Sequence, residues 1–114
     1  MNKQRICIVG DGLSGLMTAI CLNQIPGIEV NLLAKKAVNK QDKRTTAISD
    51  TNFKFIKENF AELNNKLFWP TKNIELFYET AQEKINFLNL SEKNSNLMYV
   101  FENYKVKNIL LKEL

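Results

Sequence analysis

Arg5-Ile6-Cys7-Ile8-Val9-Gly10-Asp11-Gly12-Leu13-Ser14-Gly15-Leu16-Met17-Thr18-Ala19 is the stretch on which the fold turns. An apolar run, Ile6 to Val9, meets three glycines spaced as G-x-G-x-x-G, and an apolar-periodic segment follows at once. Strand, glycine-rich turn and helix, in that order, are what a dinucleotide-binding βαβ unit requires. Each glycine has its own mechanical task. Gly10 lets the chain reverse sharply, Gly12 lets a pyrophosphate approach bare backbone, and Gly15 lets the helix lie close on the strand. The amides of Leu13, Ser14 and Gly15 then point at the phosphates from the positive end of a helix dipole. Ala19, one turn on, keeps that helix face small.

The chain continues on the schedule such a unit needs. A helix is predicted from about Leu13 to Gln24, with Leu16, Met17 and Ile20 apolar, and Pro26-Gly27 ends it. Ile28 to Leu33 reads as the second, parallel strand. An acidic residue that binds the ribose hydroxyls is the usual feature at the end of that strand. Here Ala34 stands in its place, followed by Lys35 and Lys36, and ribose hydroxyls left without a partner would weaken adenosine recognition by ~1–3 kcal/mol. Lys35 and Lys36 are candidates to meet a phosphate, although two lysines after a strand are more often only solvated.

At 114 residues the chain is one domain at most. The net charge of +4 is unevenly placed: residues 1–57 carry nine Lys/Arg against four Asp/Glu, and residues 58–114 seven against eight. The excess lies in the half with the glycine loop, which suits an anionic ligand. Cys7 and Cys21, unclustered and flanked by apolar residues, read as small core residues in a reducing compartment. No histidine occurs, which excludes His-based catalysis and His-ligated metals from this chain. No run approaches membrane-spanning length, no signal peptide is visible, and a cytoplasmic location is expected.

Residues 35–44 form a basic loop in which only Asp42 is acidic. Ser49 or Asp50 caps a helix through about Asn59, with Phe53, Ile56 and Phe60 on one face. A short helix is expected within Glu62 to Leu67, broken at Phe68-Trp69-Pro70, and Trp69 reads as a packing anchor. Ile74 to Tyr78 and Lys84 to Leu88 alternate at period two, as antiparallel strands do. Leu97 to Phe101 reads as a third strand, and a helix with Val106, Ile109, Leu110 and Leu114 on one face follows Glu102-Asn103. Nothing marks Glu75, Glu79 or Glu83 as catalytic, and no aromatic-basic interleaving suits nucleic acid.

Three segments carry a narrower resemblance. Asp42-Lys43-Arg44-Thr45-Thr46-Ala47-Ile48-Ser49 resembles the "D-x-R-T-T-A-L-S" segment of flavin-dependent aromatic hydroxylases of the ubiquinone-biosynthesis branch. The strand at Ile74 is similar to their "P-I" strand, with Asn73 in place of the proline. Tyr99-Val100-Phe101-Glu102-Asn103 is similar to their "Y-V-V-E-N". The resemblance implies an α/β fold: a Rossmann-like FAD-binding βαβ unit with helices over residues 1–69, antiparallel strands of the substrate region over 70–101, and a helix over 102–114. It implies an FAD-dependent monooxygenase that hydroxylates a prenylated phenol with NAD(P)H and O2. Gly10, Gly12, Leu13, Ser14, Gly15, Lys35, Arg44 and Asn103 are then the cofactor-binding residues, with Arg44 against the FAD. Two bland readings stand beside these: Arg44 as a surface charge, and Asn103 as a helix N-cap. Against the family's pattern the chain is truncated, lacking the later "G-D" segment and most of the substrate pocket. It is therefore expected to be inactive alone and to need a separately encoded C-terminal portion or a ubiquinone-biosynthesis complex, at most peripheral to the inner membrane. Two further readings stay open: a degenerate nucleotide-binding remnant, and an NAD(P)-binding module.

Overall fold

In a computed structural model, residues 2–35 and 41–114 are described. The protein is mixed α/β, and it divides into two compact units, Met1–Thr45 with Glu102–Leu114, and Thr46–Phe101.

The first unit begins with β1 (Gln4–Val9), α1 (Leu13–Asn23) and β2 (Ile28–Leu33). β1 and β2 pair in parallel, Gln4 opposite Ile28 through Val9 opposite Leu33, so one helix connects two adjacent parallel strands. Pro26 and Gly27 stop the helix as predicted, and Gly27 adopts a φ of +83°, a left-handed conformation that glycine enters without a Cβ clash. From that turn the Gly27 carbonyl accepts the Gln4 N–H at 2.8 Å, setting the register of the strand pair at its start. α3 (Asn103–Glu113) belongs to the same unit and packs against α1. Leu16, Ala19 and Ile20 of α1 and Val106 and Leu110 of α3 are buried, which makes the helix pair the core of this unit. The buried α3 positions repeat at i and i+4, the spacing of one helix face.

Exposure alternates along β1: Ile6 and Ile8 are half-buried, whereas Cys7 and Val9 are exposed. This corrects the expectation that Cys7 is a core residue. Successive strand side chains face opposite ways, and only one face of this two-stranded sheet is covered. Cys21, on α1, is half-buried.

The second unit holds all but the first residue of β3 (Thr45–Ser49), α2 (Asp50–Asn59), a single 3-10 turn at Asn65–Leu67, β4 (Trp69–Thr71), β5 (Asn73–Glu79), β6 (Lys84–Ser91) and all but the last residue of β7 (Met98–Glu102). Ser49 caps α2 as expected, its Oγ accepting the Asn52 N–H at 3.2 Å. The core is aromatic. Phe53 of α2 stacks on Tyr99 at 3.7 Å between ring centroids, and Phe68 meets both Phe53 and Phe101 edge-on. Such pairs contribute about 0.5–1.5 kcal/mol each beyond the area they bury.

Three particulars differ from the sequence expectations. The short helix narrows to the 3-10 turn. Trp69 is half exposed, and its neighbour Phe68, 5% exposed, is the anchor instead. Trp69–Thr71, read only as a break, forms the strand β4, which pairs antiparallel with β7, the strand expected at Leu97 to Phe101; β7 lies between β3 and β4. The β5–β6 hairpin forms a sheet of its own, antiparallel as expected, with an irregularity at Leu76/Phe77. Among the described residues no helix is long and apolar enough to cross a membrane.

Candidate functional site

The glycine loop joins the C-terminal end of β1 to the N-terminus of α1. Gly10 has a φ of +109°, a region that disfavours any residue with a Cβ, and its N–H donates to the Leu33 carbonyl at 2.7 Å. The reversal after β1 is therefore fastened to the end of β2. Gly15 is fixed by packing: a Cβ on it would collide with the Gly10 carbonyl oxygen and come within 3.7 Å of Ile8 Cγ2. The third glycine was expected to let the helix lie close on the strand; the tight approach is to the Gly10 carbonyl at the strand's end, with Ile8 of the strand in ordinary contact behind it.

Gly12 is different in kind. Its φ of −67° and ψ of 174° are open to any residue, and a Cβ there would meet no atom within 4 Å. Neither backbone conformation nor packing requires a glycine at this position. Gly12 is also the N-cap of α1, where a Ser, Thr, Asp or Asn would accept a first-turn amide. No side-chain cap bond forms, and the first turn holds no acidic residue. The Gly12 carbonyl accepts the Leu16 N–H at 3.0 Å, the first bond of the helix. The amides of Leu13, Ser14 and Gly15 precede it, among the donors that an α-helix leaves without an intrahelical partner.

Beside the loop lies a crevice of about 430 Å³, lined by Val9, Gly10 and Asp11 from the first strand's end and Leu33, Ala34 and Lys35 from the second's. Ligands of open α/β sheets bind outside the carboxyl ends of the strands, which is where this crevice opens. Val9 and Leu33, 82% and 57% exposed, form an apolar floor to it. Ala34, where the sequence pattern leads one to expect an acid, and Lys35 are exposed. Lys36 and Lys40 lie outside the described residues.

Arg44 and Asn103 meet through a residue to which the sequence reading assigned no role. Asp42 accepts the Arg44 N–H at 3.0 Å and its Nε at 2.8 Å on Oδ1, and Nη2 at 2.9 Å on Oδ2. This fork, two side-chain bonds in parallel, is the strong form of the Arg–carboxylate pair. The Arg44 side chain, then its backbone N–H, hold the Asp42 carboxyl well below the usual carboxylate range, and the Asn103 side chain adds to the effect. Asn103 is 9% exposed, and its own N–H donates to the Arg44 carbonyl at 3.0 Å. The N-cap of α3 is Glu102, not Asn103. The side chain read as a helix cap or a flavin contact thus fastens the Asp42–Arg44 turn to α3. Arg44 is 81% exposed in its side chain, so its guanidinium is oriented by Asp42 but remains accessible.

A second connection runs from α3 to the glycine loop. Lys107 Nζ lies 3.4 Å from Asp11 Oδ2. Asn103 and Lys107 are four apart, hence on one side of α3. No local signal in the sequence relates Lys107 to Asp11, because the contact exists only once α3 has packed on α1. Among the described residues no group of His, Cys, Asp and Glu is arranged to hold a metal ion. No family model matches the chain, and no curated protein is similar enough to count as a relative.

Proposed function

We propose that the first unit binds the phosphates of an adenine dinucleotide, and that the ligand is FAD. The observation that carries the reading is Gly12. A residue that neither φ nor packing requires to be glycine leaves open space at the N-cap of α1, the end of the helix whose first amides lack intrahelical partners. Gly10, Gly12, Leu13, Ser14 and Gly15 then hold the pyrophosphate, and Lys35 stands at the adenosine side of the crevice. Arg44, held by Asp42 and Asn103, offers its exposed guanidinium to the cofactor.

FAD, rather than any dinucleotide, rests on the resemblance at Asp42 to Ser49 and Tyr99 to Asn103. So does the reaction: hydroxylation of a prenylated phenol with NAD(P)H and O2, which the flavin supplies when bound. The residues described here bind and orient.

Ala34 and Lys35 favour a second reading. A strand end without a carboxylate and with an ammonium beside it suits an adenosine ribose that carries a phosphate, as in NADP(H). One experiment separates the two. The purified chain is examined for visible flavin absorbance and titrated with FAD, NAD+ and NADP+. Yellow protein with stoichiometric FAD supports the first reading. Saturable binding of NADP+ without FAD selects the second, and a colourless protein that ignores all three overturns both.

A further inference from the structure

We infer that Lys107 is the counter-ion that lets the glycine loop accept a diphosphate, by neutralising a carboxylate built into the loop itself. The inference rests on the dinucleotide reading and adds to it a residue far away in the sequence.

Asp11 sits between Gly10 and Gly12 and lines the crevice. Its side chain is 39% exposed, so its charge reaches the crevice incompletely screened. A carboxylate there opposes the partial positive charge of the α1 N-terminus and repels the anion for which that N-terminus is suited. Such a loop would be a poor phosphate site unless the charge were balanced. The balance comes from Lys107, whose ammonium stands 3.4 Å from Asp11 Oδ2.

Lys107 is also well placed to do this steadily. Its side chain is 35% exposed, against 70% for Lys54 and 47% for Lys105, and among the described lysines it and Lys57 alone are half-buried. Val106 and Leu110, buried on either side of it in sequence, fix α3 against α1, the helix that carries the loop. One turn earlier Asn103 performs a related task for Asp42 and Arg44. A single side of α3 thus addresses both parts of the proposed cofactor site.

The test is a charge cycle on the full chain: Lys107→Gln, Lys107→Arg, Asp11→Asn and the double variant Asp11→Asn/Lys107→Gln. Each is titrated calorimetrically with FAD and with NADP+ at low and at high salt. Removing one unit charge a few ångströms from a diphosphate at a partly exposed site changes affinity by about tenfold. Lys107→Gln should therefore weaken binding by about that factor, whereas Asp11→Asn should tighten it by a similar factor. The double variant, which like the parent carries no net charge from this pair, should return to within about twofold of the parent chain, and Lys107→Arg should bind like the parent chain. High salt should shrink all these differences. Opposite signs for the two single variants are the signature, because a merely structural ion pair would lose affinity from either side. Lys107→Gln binding like the parent, or the double variant binding as weakly as Lys107→Gln, would overturn the inference while leaving the dinucleotide reading intact. A parent chain that binds neither dinucleotide would overturn that reading, and the inference with it.

Discussion

Alanine at Gly15 and alanine at Gly12 should separate the fold from the site, because the two glycines exist for different reasons. At Gly15 the new methyl would run into the Gly10 carbonyl oxygen, with the Gly10 carbonyl carbon at 3.3 Å behind it. Both are backbone atoms, fastened by the bond from the Gly10 N–H to the Leu33 carbonyl, so neither can swing aside as a side-chain tip would. The start of α1 must move off the loop instead. Overpacking of this kind costs about 1–3 kcal/mol, and alanine's helix preference over glycine returns at most about 1 kcal/mol. A net loss of about 1–2 kcal/mol is expected, equivalent to about 5–10 °C in melting temperature for a domain of this size. At Gly12 the methyl meets nothing within 4 Å, and the backbone angles are ordinary. Stability should change by less than about 1 kcal/mol, the scale of an N-cap substitution. Dinucleotide affinity should nonetheless fall by at least tenfold, because the methyl enters the space proposed for the pyrophosphate. Urea denaturation reads the first quantity and calorimetric titration the second. A Gly15→Ala chain as stable as its parent would refute the packing argument. A Gly12→Ala chain that binds FAD as the parent does would refute the cradle.

The Asp42–Arg44 fork makes a prediction in pH. The folded-state pKa of Asp42 lies below its unfolded value of about 3.9, so its stabilising contribution is fully present above that value and is lost as pH falls through the lower folded pKa. Carbon NMR of the Asp42 carboxyl should show a midpoint well below the ordinary one, and Arg44→Ala should raise it part of the way, since the backbone N–H and Asn103 remain; an ordinary midpoint in the parent chain would mean that the fork does not persist in solution. Ser49→Ala should destabilise the second unit by about 1 kcal/mol through loss of the bond to the Asn52 N–H, and Ser49→Asp should preserve it. Equal urea midpoints for Ser49→Ala and its parent would show that the cap contributes nothing.

What was legible in the sequence was local. α1 and β2 are bounded by glycine and proline, and Ser49 supplies its own cap, so their limits follow from residues within a turn or two. β4 is only three residues long and includes a proline, and its strand character comes from pairing with Met98 to Val100 of β7. No window around Trp69 contains that partner. The exchange of Phe68 for Trp69 as the anchor has a related cause. Side chains alternate across an extended segment, so the choice between neighbours is decided by which face meets the core, and a shift of one residue reverses it. Cys7 was misread because an apolar run in a strand is compatible with covering on both faces, whereas here only one is covered.

The site divides along the same line. The three glycines could be read one by one, since each answers to a backbone conformation, a close approach or a vacant space in its own vicinity. The charged groups could not. Arg44 stood out within its motif, but its state depends on Asp42, two residues away, and on Asn103, which arrives only with α3. Asp11, between two glycines, carries no local signal of its partner, because Lys107 reaches it only from α3. In both instances α3 supplies the missing partner, Asn103 to one carboxylate and Lys107 to the other. The proposed anion site therefore depends on more than its loop. Without α3, the loop would keep its glycines and its free amides but carry an unbalanced Asp11, and the Asp42–Arg44 turn would lose its attachment through Asn103. The packing of Val106 and Leu110 against α1 is thus a requirement of the proposed site as much as of the fold.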